Sequence, residues 1–224
     1  MVKINYKPLL KEVVVSGDIN SFQKEIREKT KIYFICGARD SGKSVLGFRL
    51  LENLCFSKRK TAFALGFPAE NLPDWIKRIE DLSELLNDSV LIIDEGALKF
   101  NAKKHFTFDN ENLLLLMTLC RHKKIDLIII SQNSANIDLN VIRQSDILML
   151  KQPAYMQIEL ERPAIAKLYK EAKRHFKDRI SNRFVYVVCE QFKGLCRNTL
   201  PSFWNEGLSV AFKDVKFEKE QEAV

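Results

Sequence analysis

The stretch KIYFICGARDSGKS, residues 31–44, decides the fold of this chain. The apolar and β-branched residues from Ile32 to Cys36 predict a buried strand, and the apolar spacing of the residues after the stretch predicts a helix. The loop between them fits the pattern GxxxxGK[ST], with its fixed positions at Gly37, Gly42, Lys43 and Ser44. A strand, a glycine-bounded loop and a helix in this order predict a site for the phosphates of a nucleotide.

Each fixed position of this loop has a physical role in holding a triphosphate. The glycines permit backbone torsions that a Cβ disfavours, so successive N–H groups turn toward the phosphate oxygens, and the helix adds the positive end of its dipole. The Lys43 ammonium is expected at the β- and γ-phosphates and the Ser44 hydroxyl at Mg²⁺. With ATP and Mg²⁺ as the ligands, the predicted contacts are Gly37, Ala38, Arg39, Asp40, Ser41, Gly42, Lys43, Ser44 and Val45.

A second apolar run, SVLII at Ser89 to Ile93, ends in Asp94 and Glu95. A run that is nearly all apolar is typical of a strand buried on both faces of a parallel sheet. In an ATPase site the first acid binds Mg²⁺ through water, and the second polarises the water that attacks the γ-phosphate. We therefore predict Asp94, with Ser44, as a metal residue and Glu95 as a catalytic residue.

A third apolar run, Ile125 to Ser131, predicts a strand that delivers Gln132 to the same edge. The carboxyl ends of parallel strands meet at one edge, where open α/β sheets bind ligands. Gln132 is therefore predicted to hold the γ-phosphate or the attacking water. Arg121 precedes this strand, at the end of a predicted helix over Glu111 to His122.

The other segments predict the layers around this sheet. Strands are expected at Glu12 to Gly17, Thr61 to Phe67, Asp146 to Leu150 and Phe184 to Cys189, with an extended piece near Gly194. Helices are expected after Asp18 or Ser21, over Asp74 to Leu86, and from Pro163 to Phe176, with an irregular connection between Leu150 and Pro163. The predicted fold class is a three-layer α/β P-loop NTPase of the RecA/ASCE type, with a mostly parallel sheet and a C-terminal edge hairpin.

We expect one domain over residues 1–224. Its core spans about 30–152, after a leader at 1–30, and is followed by a helix and hairpin at 160–210 and a polar tail at 211–224. The chain is 46% hydrophobic and 29% charged, which is typical of a soluble globular protein. Its apolar runs are shorter than the roughly 20 residues of a membrane span. Without a secretory cleavage site, the chain is expected in the cytoplasm.

The net charge of +7 is compatible with a polyanionic partner such as nucleic acid. The loop 97–112 interleaves basic residues with phenylalanines, at Lys99, Phe100, Lys103, Lys104, His105, Phe106 and Phe108. Such a loop either grips a nucleic-acid backbone or is pinned to the core by its aromatic rings with its lysines in solvent. The sequence leaves both interpretations open. A GTPase is disfavoured because SQNS, residues 131–134, does not supply the base-reading motif NKxD.

With these motifs the chain resembles the FtsK/HerA superfamily of DNA-pumping ATPases. The resemblance covers roughly residues 30–152 and lies in GARDSGKS, VLIIDEG, RHKKIDLIIISQN and NVIRQSDILML. In its compact size the chain is similar to the genome-packaging ATPases of double-jelly-roll viruses and their archaeal relatives. The resemblance implies that Gln132 is a sensor and that Arg121 is a finger donated to the neighbouring subunit, with Arg143 as the alternative. It also implies a homo-oligomeric ring, usually a hexamer.

The leading hypothesis is an oligomeric Mg·ATP hydrolase that translocates double-stranded DNA, for viral genome packaging. Capsid or membrane proteins of a virion are then the further partners, in the host cytoplasm or the virion. One alternative is an ATPase of phage morphogenesis like the Zot-like proteins, which generally carry a membrane span. Another is a nucleotide-dependent switch that recruits partners with little turnover, for which Glu95 would be unnecessary.

Overall fold

The computed structural model describes residues 10–67, 72–94, 109–132, 137–176 and 182–204, with the backbone alone for 11–16. Within these residues the chain forms nine strands, which join in one sheet. They are β1 (Leu10–Gly17), β2 (Ile32–Cys36), β3 (Thr61–Leu65), β4 (Ile76–Ile79), β5 (Ser89–Asp94), β6 (Asp126–Ser131), β7 (Ile147–Leu150), β8 (Phe184–Val188) and β9 (Phe192–Asn198). Their order across the sheet is β1-β9-β8-β7-β2-β6-β5-β3-β4.

Helices cover both faces of this sheet. They are α1 (Ile19–Glu28), α2 (Lys43–Lys58), α3 (Asn110–His122), α4 (Leu139–Gln144), α5 (Tyr155–Glu159) and α6 (Pro163–Phe176). Helices α1 and α2 bury their apolar residues in one cluster with one face of the sheet, and α3 to α6 bury theirs in a second cluster on the other face. The predicted three-layer α/β fold is thereby confirmed.

The strands β7, β2, β6, β5, β3 and β4 run parallel. Along β2 the residues alternate between the two cores, with Phe34 on the α3 side and Ile35 on the α2 side. Both faces are covered at the centre of the sheet, which explains why β2, β5, β6 and β7 are nearly continuous apolar runs, whereas the outer strand β4 keeps Lys77 and Arg78 exposed. The strand ends lie level, because Cys36 pairs with Ser131 and Asp94 pairs with Ile130. The carboxyl edge of the parallel strands is therefore one continuous rim.

Antiparallel strands extend the sheet beyond β7. Strand β8 pairs with β7 and then with β9, which forms the expected hairpin. This hairpin is not the border of the sheet, because β1 pairs with the outer side of β9, from Leu10 opposite Asn198 to Gly17 opposite Phe192. The predicted edge position of the hairpin is thus corrected, and the N-terminal strand takes that place.

The predicted helix over Asp74 to Leu86 is wrong. Residues Ile76–Ile79 form β4, parallel to β3, and Leu82–Glu84 form one turn of 3₁₀ helix. The spacing of Ile76 and Ile79 mimics a helical face, but the two side chains point to opposite sides of the sheet and each enters a different core. Three residues along a strand reverse the face, so apolar residues at this spacing fit a strand that is covered on both sides.

The connection after Leu150 contains a short helix, α5, where irregular structure was expected. Its first turn is held by Gln157, whose side-chain oxygen accepts from the Ala154 N–H at 3.0 Å. The same side chain donates through Nε2 to the backbone oxygen of Gln132 at 2.8 Å. Helix α5 is thereby fastened to the end of β6. In the part of the chain that the structure describes, no helix has the length and apolar content needed to cross a membrane.

At the amino ends of the parallel strands, opposite the rim, Asp126 is fully buried at the start of β6. Its carboxylate accepts from the backbone N–H of Lys31 at 2.9 Å, from Lys58 Nζ at 2.8 Å and from Lys60 Nζ at 3.0 Å. Burial lowers the pKa of Lys58, and the charge of Asp126 opposes that shift. One buried carboxylate thus pairs with two buried ammonium groups, of which Lys60 also pairs with Asp88 at 3.1 Å.

Replacing Asp126 with alanine is expected to lower the free energy of unfolding by about 3–5 kcal/mol, because it removes the buried carboxylate bonded to Lys58 and leaves Lys60 only its ion pair with the exposed Asp88. Urea denaturation followed by circular dichroism measures the change. The matched control is Glu80→Ala, which removes the carboxylate of a solvent-exposed ion pair with Arg78 and should cost at most about 1 kcal/mol. Equal losses for the two variants would contradict the role given to Asp126.

Candidate functional site

The glycine-bounded loop lies at the rim, between β2 and α2. Three of its residues have positive φ angles, Gly37 with 151°, Asp40 with 58° and Gly42 with 84°. A Cβ at Gly42 would lie 2.7 Å from the backbone oxygen of Asn182, so both the torsion and the space there require glycine. The loop therefore has the tight curvature that turns backbone N–H groups inward.

The first glycine packs against the end of β7. A Cβ at Gly37 would lie 2.7 Å from the Cβ of Lys151, and the Ala38 N–H donates to the Gln152 oxygen at 3.1 Å. The loop thus rests on a neighbouring strand end, which fixes its position relative to the rim.

Lys43 begins α2 and is 7% exposed, with its Nζ donating to the Ala38 oxygen at 2.6 Å. Burial lowers the pKa of this lysine, and the negative charge of Asp94 opposes the shift. Asp94 ends β5 and is 6% exposed. The structure therefore brings the predicted phosphate lysine and the predicted metal carboxylate into one electrostatic site, where phosphate oxygens are stronger partners for the ammonium than a neutral carbonyl.

The hydroxyl groups of the loop also suit a phosphate ligand. Ser41 is buried, and within the described residues its Oγ has no hydrogen-bond partner. Ser44 lies in the first turn of α2, directly after Lys43. Since an unsatisfied buried hydroxyl is costly, a bound anion or its hydration shell is a favourable partner for Ser41. These residues fit a nucleotide with its Mg²⁺ ion.

Gln132 follows β6 at the same rim, one residue beyond the pair of Ser131 with Cys36. It is exposed, and its backbone oxygen is held by Gln157. Its position is thus the one expected from the sequence. Glu95 lies outside the described residues, as do residues 97–108 of the basic loop, whereas Asp109 caps α3 by accepting from the Asn112 N–H at 2.8 Å.

Arg121 lies near the amino ends of the parallel strands, whereas the glycine-bounded loop lies at the rim formed by their carboxyl ends. The arginine lies in the last turn of α3, before the first residue of β6, and Gln132 follows the last residue of β6. The six extended residues of β6, about 20 Å long, therefore separate the two positions. The Arg121 side chain is exposed and donates to the Gln144 oxygen at 2.5 Å. Arg143 is also exposed, in α4 before β7, and thus lies near the same amino ends. Neither arginine is placed to reach the loop of its own chain.

One residue of the site was missed in the sequence. Lys151 follows the apolar strand β7 directly, as Asp94 ends β5 and Gln132 follows β6, and it contacts the loop at Gly37. A charged residue straight after an apolar strand was therefore the available signal. Its burial was not readable, because it depends on packing of β8 and β9 from the far end of the chain.

No protein-family model matches the sequence, and among curated proteins no similar sequence is found. Solved structures do match. The genome packaging NTPase B204 from Sulfolobus turreted icosahedral virus 2, in complex with ATPγS, aligns with a TM-score of 0.56 and 15% identity over 76% of this chain and 98% of B204. This chain has the fold of the P-loop NTPases. B204 spans little more than the aligned part, so the two share a compact size.

Two larger proteins share this P-loop NTPase fold. The part of EssC from Geobacillus thermodenitrificans that holds ATPases 2 and 3 aligns with a TM-score of 0.53 and 11% identity, over 90% of this chain and 46% of that protein chain. The conjugation coupling protein TcpA of pCW3, with ATPγS, aligns with a TM-score of 0.52 and 13% identity, over 88% and 67%. These solved structures thus share with this chain the P-loop NTPase fold that the motifs predict.

Proposed function

We propose that this chain is a Mg·ATP hydrolase that works in a homo-oligomeric ring and translocates double-stranded DNA. The observation that carries the proposal is the grouping of three polar residues at the carboxyl ends of the parallel strands. Lys43 sits inside a glycine-bounded loop under the influence of Asp94, and Gln132 stands at the level of the neighbouring strand end. Separate strands thus converge on a place suited to one triphosphate.

Each residue of the site has a separate role in the transfer of the phosphoryl group to water. Mg²⁺, when bound, would supply charge neutralisation for the triphosphate. Ser44 and Asp94 would hold that ion, and Lys43 would leave the Ala38 oxygen to contact the phosphate oxygens. Glu95 accepts a proton from the attacking water, and Gln132 orients that water or the γ-phosphate. The curved loop excludes bulk solvent around the reacting phosphate.

A neighbouring copy supplies the remaining cation. Arg121 is solvent-exposed at the edge away from its own loop, so its guanidinium is available to the loop of an adjacent subunit. Such an arrangement is head to tail, and it closes into a ring rather than a pair. A hexamer is the ring size that the resemblance to FtsK/HerA proteins implies.

Double-stranded DNA is the proposed cargo. The support is the net charge of +7 and the similarity in fold and size to B204, a genome packaging NTPase. In this proposal the chain acts in the host cytoplasm or on the virion, where capsid or membrane proteins would anchor the ring.

Stimulation of hydrolysis by DNA tests the proposal. Double-stranded DNA is expected to raise the rate of phosphate release from Mg·ATP, and the stimulation should weaken as salt rises from about 50 to 200 mM, because phosphate contacts release counterions. Polyglutamate of matched charge is the control for an unspecific polyanion. A rate of hydrolysis that does not change with DNA would show that DNA is not the cargo. An absence of hydrolysis under every condition would favour a recruitment switch.

A further inference from the structure

Lys151 is a lysine with no exposed surface, buried behind the phosphate loop. Its Nζ donates to the backbone oxygen of Asn182 at 2.6 Å and to Oδ1 of Asn198 at 3.3 Å. Both acceptors are neutral. A buried ammonium is normally held by a carboxylate, because neutral dipoles only partly replace its hydration. The contrast within this chain is Lys60, which is also buried but bonds to Asp126.

The lysine touches the loop at both of its glycines, directly at one and through its partner at the other. The Cβ of Lys151 closes the space beside Gly37, and its backbone N–H donates to the Cys36 oxygen at 2.7 Å. Its acceptor Asn182 lies against Gly42. Lys151 is therefore part of the wall that shapes the phosphate loop, without being exposed to the place where phosphates would bind.

The electrostatic surroundings of Lys151 are unfavourable to its charge. Burial, and secondly the positive charge of Lys43, lower the pKa of Lys151 to about 7. Other charged or titratable residues lie on the elements around Lys151, namely Tyr33 and Cys36 in β2, Arg39 and Asp40 in the loop, Arg183 and Tyr186 before and in β8, and Lys193, Cys196 and Arg197 in β9. The Cys36 thiol is neutral near pH 7, because burial raises its pKa to about 12. Near pH 7 the protonated and neutral forms of Lys151 are thus similarly populated.

We propose that Lys151 is a positioning residue that takes up a proton when the loop binds nucleotide phosphates, so that nucleotide affinity falls as pH rises. The inference rests on the nucleotide binding of the proposed function, but not on hydrolysis or DNA. The phosphates bring several negative charges next to Lys43, which replaces repulsion of the Lys151 ammonium by attraction. The charged lysine then holds Asn182, and with it the wall at Gly42, more firmly.

The direction of the pH dependence follows from this linkage. Between the pKa of Lys151 in the free protein and its higher pKa in the complex, the complex carries a proton that the free protein lacks, so binding weakens as pH rises through this interval and levels off above it. Below the pKa of the free protein both states are protonated and Lys151 contributes no slope. Each unit by which bound phosphate raises the pKa of Lys151 corresponds to a tenfold loss of affinity across the alkaline limb.

The test is titration calorimetry with Mg·ATPγS from about pH 6 to about pH 9. For the wild type we expect affinity to fall about tenfold over this range. Lys151→Met should bind with a nearly flat profile, and so should Lys151→Arg, which stays charged throughout. Lys167→Met, the same change at an exposed position of α6, should keep the wild-type slope. The titration of the nucleotide is common to all these proteins, so the comparison rests on the difference in slope between the wild type and Lys151→Arg, which keeps a positive charge beside Lys43.

Proton counting gives a second readout, in which the difference in uptake between the wild type and Lys151→Met separates Lys151 from Lys43 and the nucleotide. Binding heats for both proteins at one pH above 7, measured in buffers of different ionisation enthalpy, are expected to reveal greater net proton uptake by the wild type. Equal uptake, or a Lys151→Met profile as steep as that of the wild type, would overturn the inference alone. Failure of the wild type to bind Mg·ATPγS at every pH would instead overturn the proposed function, and the inference with it.

Discussion

Replacing Lys43 with methionine is expected to slow ATP hydrolysis by about 10²- to 10³-fold, the range for removing one preorganised donor from a developing negative charge. The ammonium is buried within the loop and bonds to the neutral Ala38 oxygen at 2.6 Å, so the approach of a charged phosphate gives it a better partner. Nucleotide affinity should fall as well, because a triphosphate makes the same contact in the ground state. Phosphate release measured at saturating Mg·ATP separates the two effects.

The fold of Lys43→Met should remain intact. Burial lowers the pKa of Lys43, which means that folding disfavours its charged form relative to the unfolded chain. An uncharged side chain of similar length removes that cost, so thermal stability should be equal or higher. The matched control is Lys170→Met on the exposed face of α6, which should hydrolyse ATP normally. Wild-type turnover by Lys43→Met would refute the phosphate role of the loop.

Arg121→Ala is expected to lose about 10³- to 10⁵-fold in hydrolysis, the effect of removing an arginine finger that acts between subunits. Nucleotide affinity should change little, because Arg121 is separated from its own loop by the length of β6. A combination of normal binding and very slow turnover is therefore the expected signature. Calorimetric binding and phosphate release on the same preparation measure it.

Mixing two inactive variants tests whether Arg121 acts on a neighbour. A ring assembled from Arg121→Ala and Lys43→Met subunits contains some sites with an intact loop from one copy and an intact arginine from the next, so activity should reappear. Arg143→Ala is the control, since it removes an exposed arginine near the same edge. If Arg143→Ala is the inactive variant and Arg121→Ala is not, the finger has been assigned to the wrong residue. Mixtures that stay inactive would argue against shared sites.

The phosphate loop and the parallel strands were readable from the sequence because each depends on local chemistry. Strands covered on both faces must be apolar throughout, and β2, β5 and β6 appear as such runs. The polar residues that end or follow them then fall at one rim by geometry alone. This is why Asp94 and Gln132 were placed correctly without knowledge of the strand order.

The failures have a different physical origin. Strand β4 was taken for a helix because its two isoleucines serve different cores, and nothing within the segment reveals that a second core exists. The role of Lys151 depends on β8 and β9, which bury it from more than 30 residues away. Contacts between distant segments decide both cases, and a single sequence does not display them.

The pairing of β1 with β9 has a consequence for how the molecule is made. Residues 10–17 leave the ribosome early, but their partner, residues 192–198, is translated more than 170 residues later. The nascent chain can assemble its parallel strands before residues 10–17 pair with β9. Closure of that border is then a late step, and contacts of such long sequence separation are the slowest to form. Newly synthesised protein should therefore acquire nucleotide-binding capacity before its first strand becomes resistant to protease.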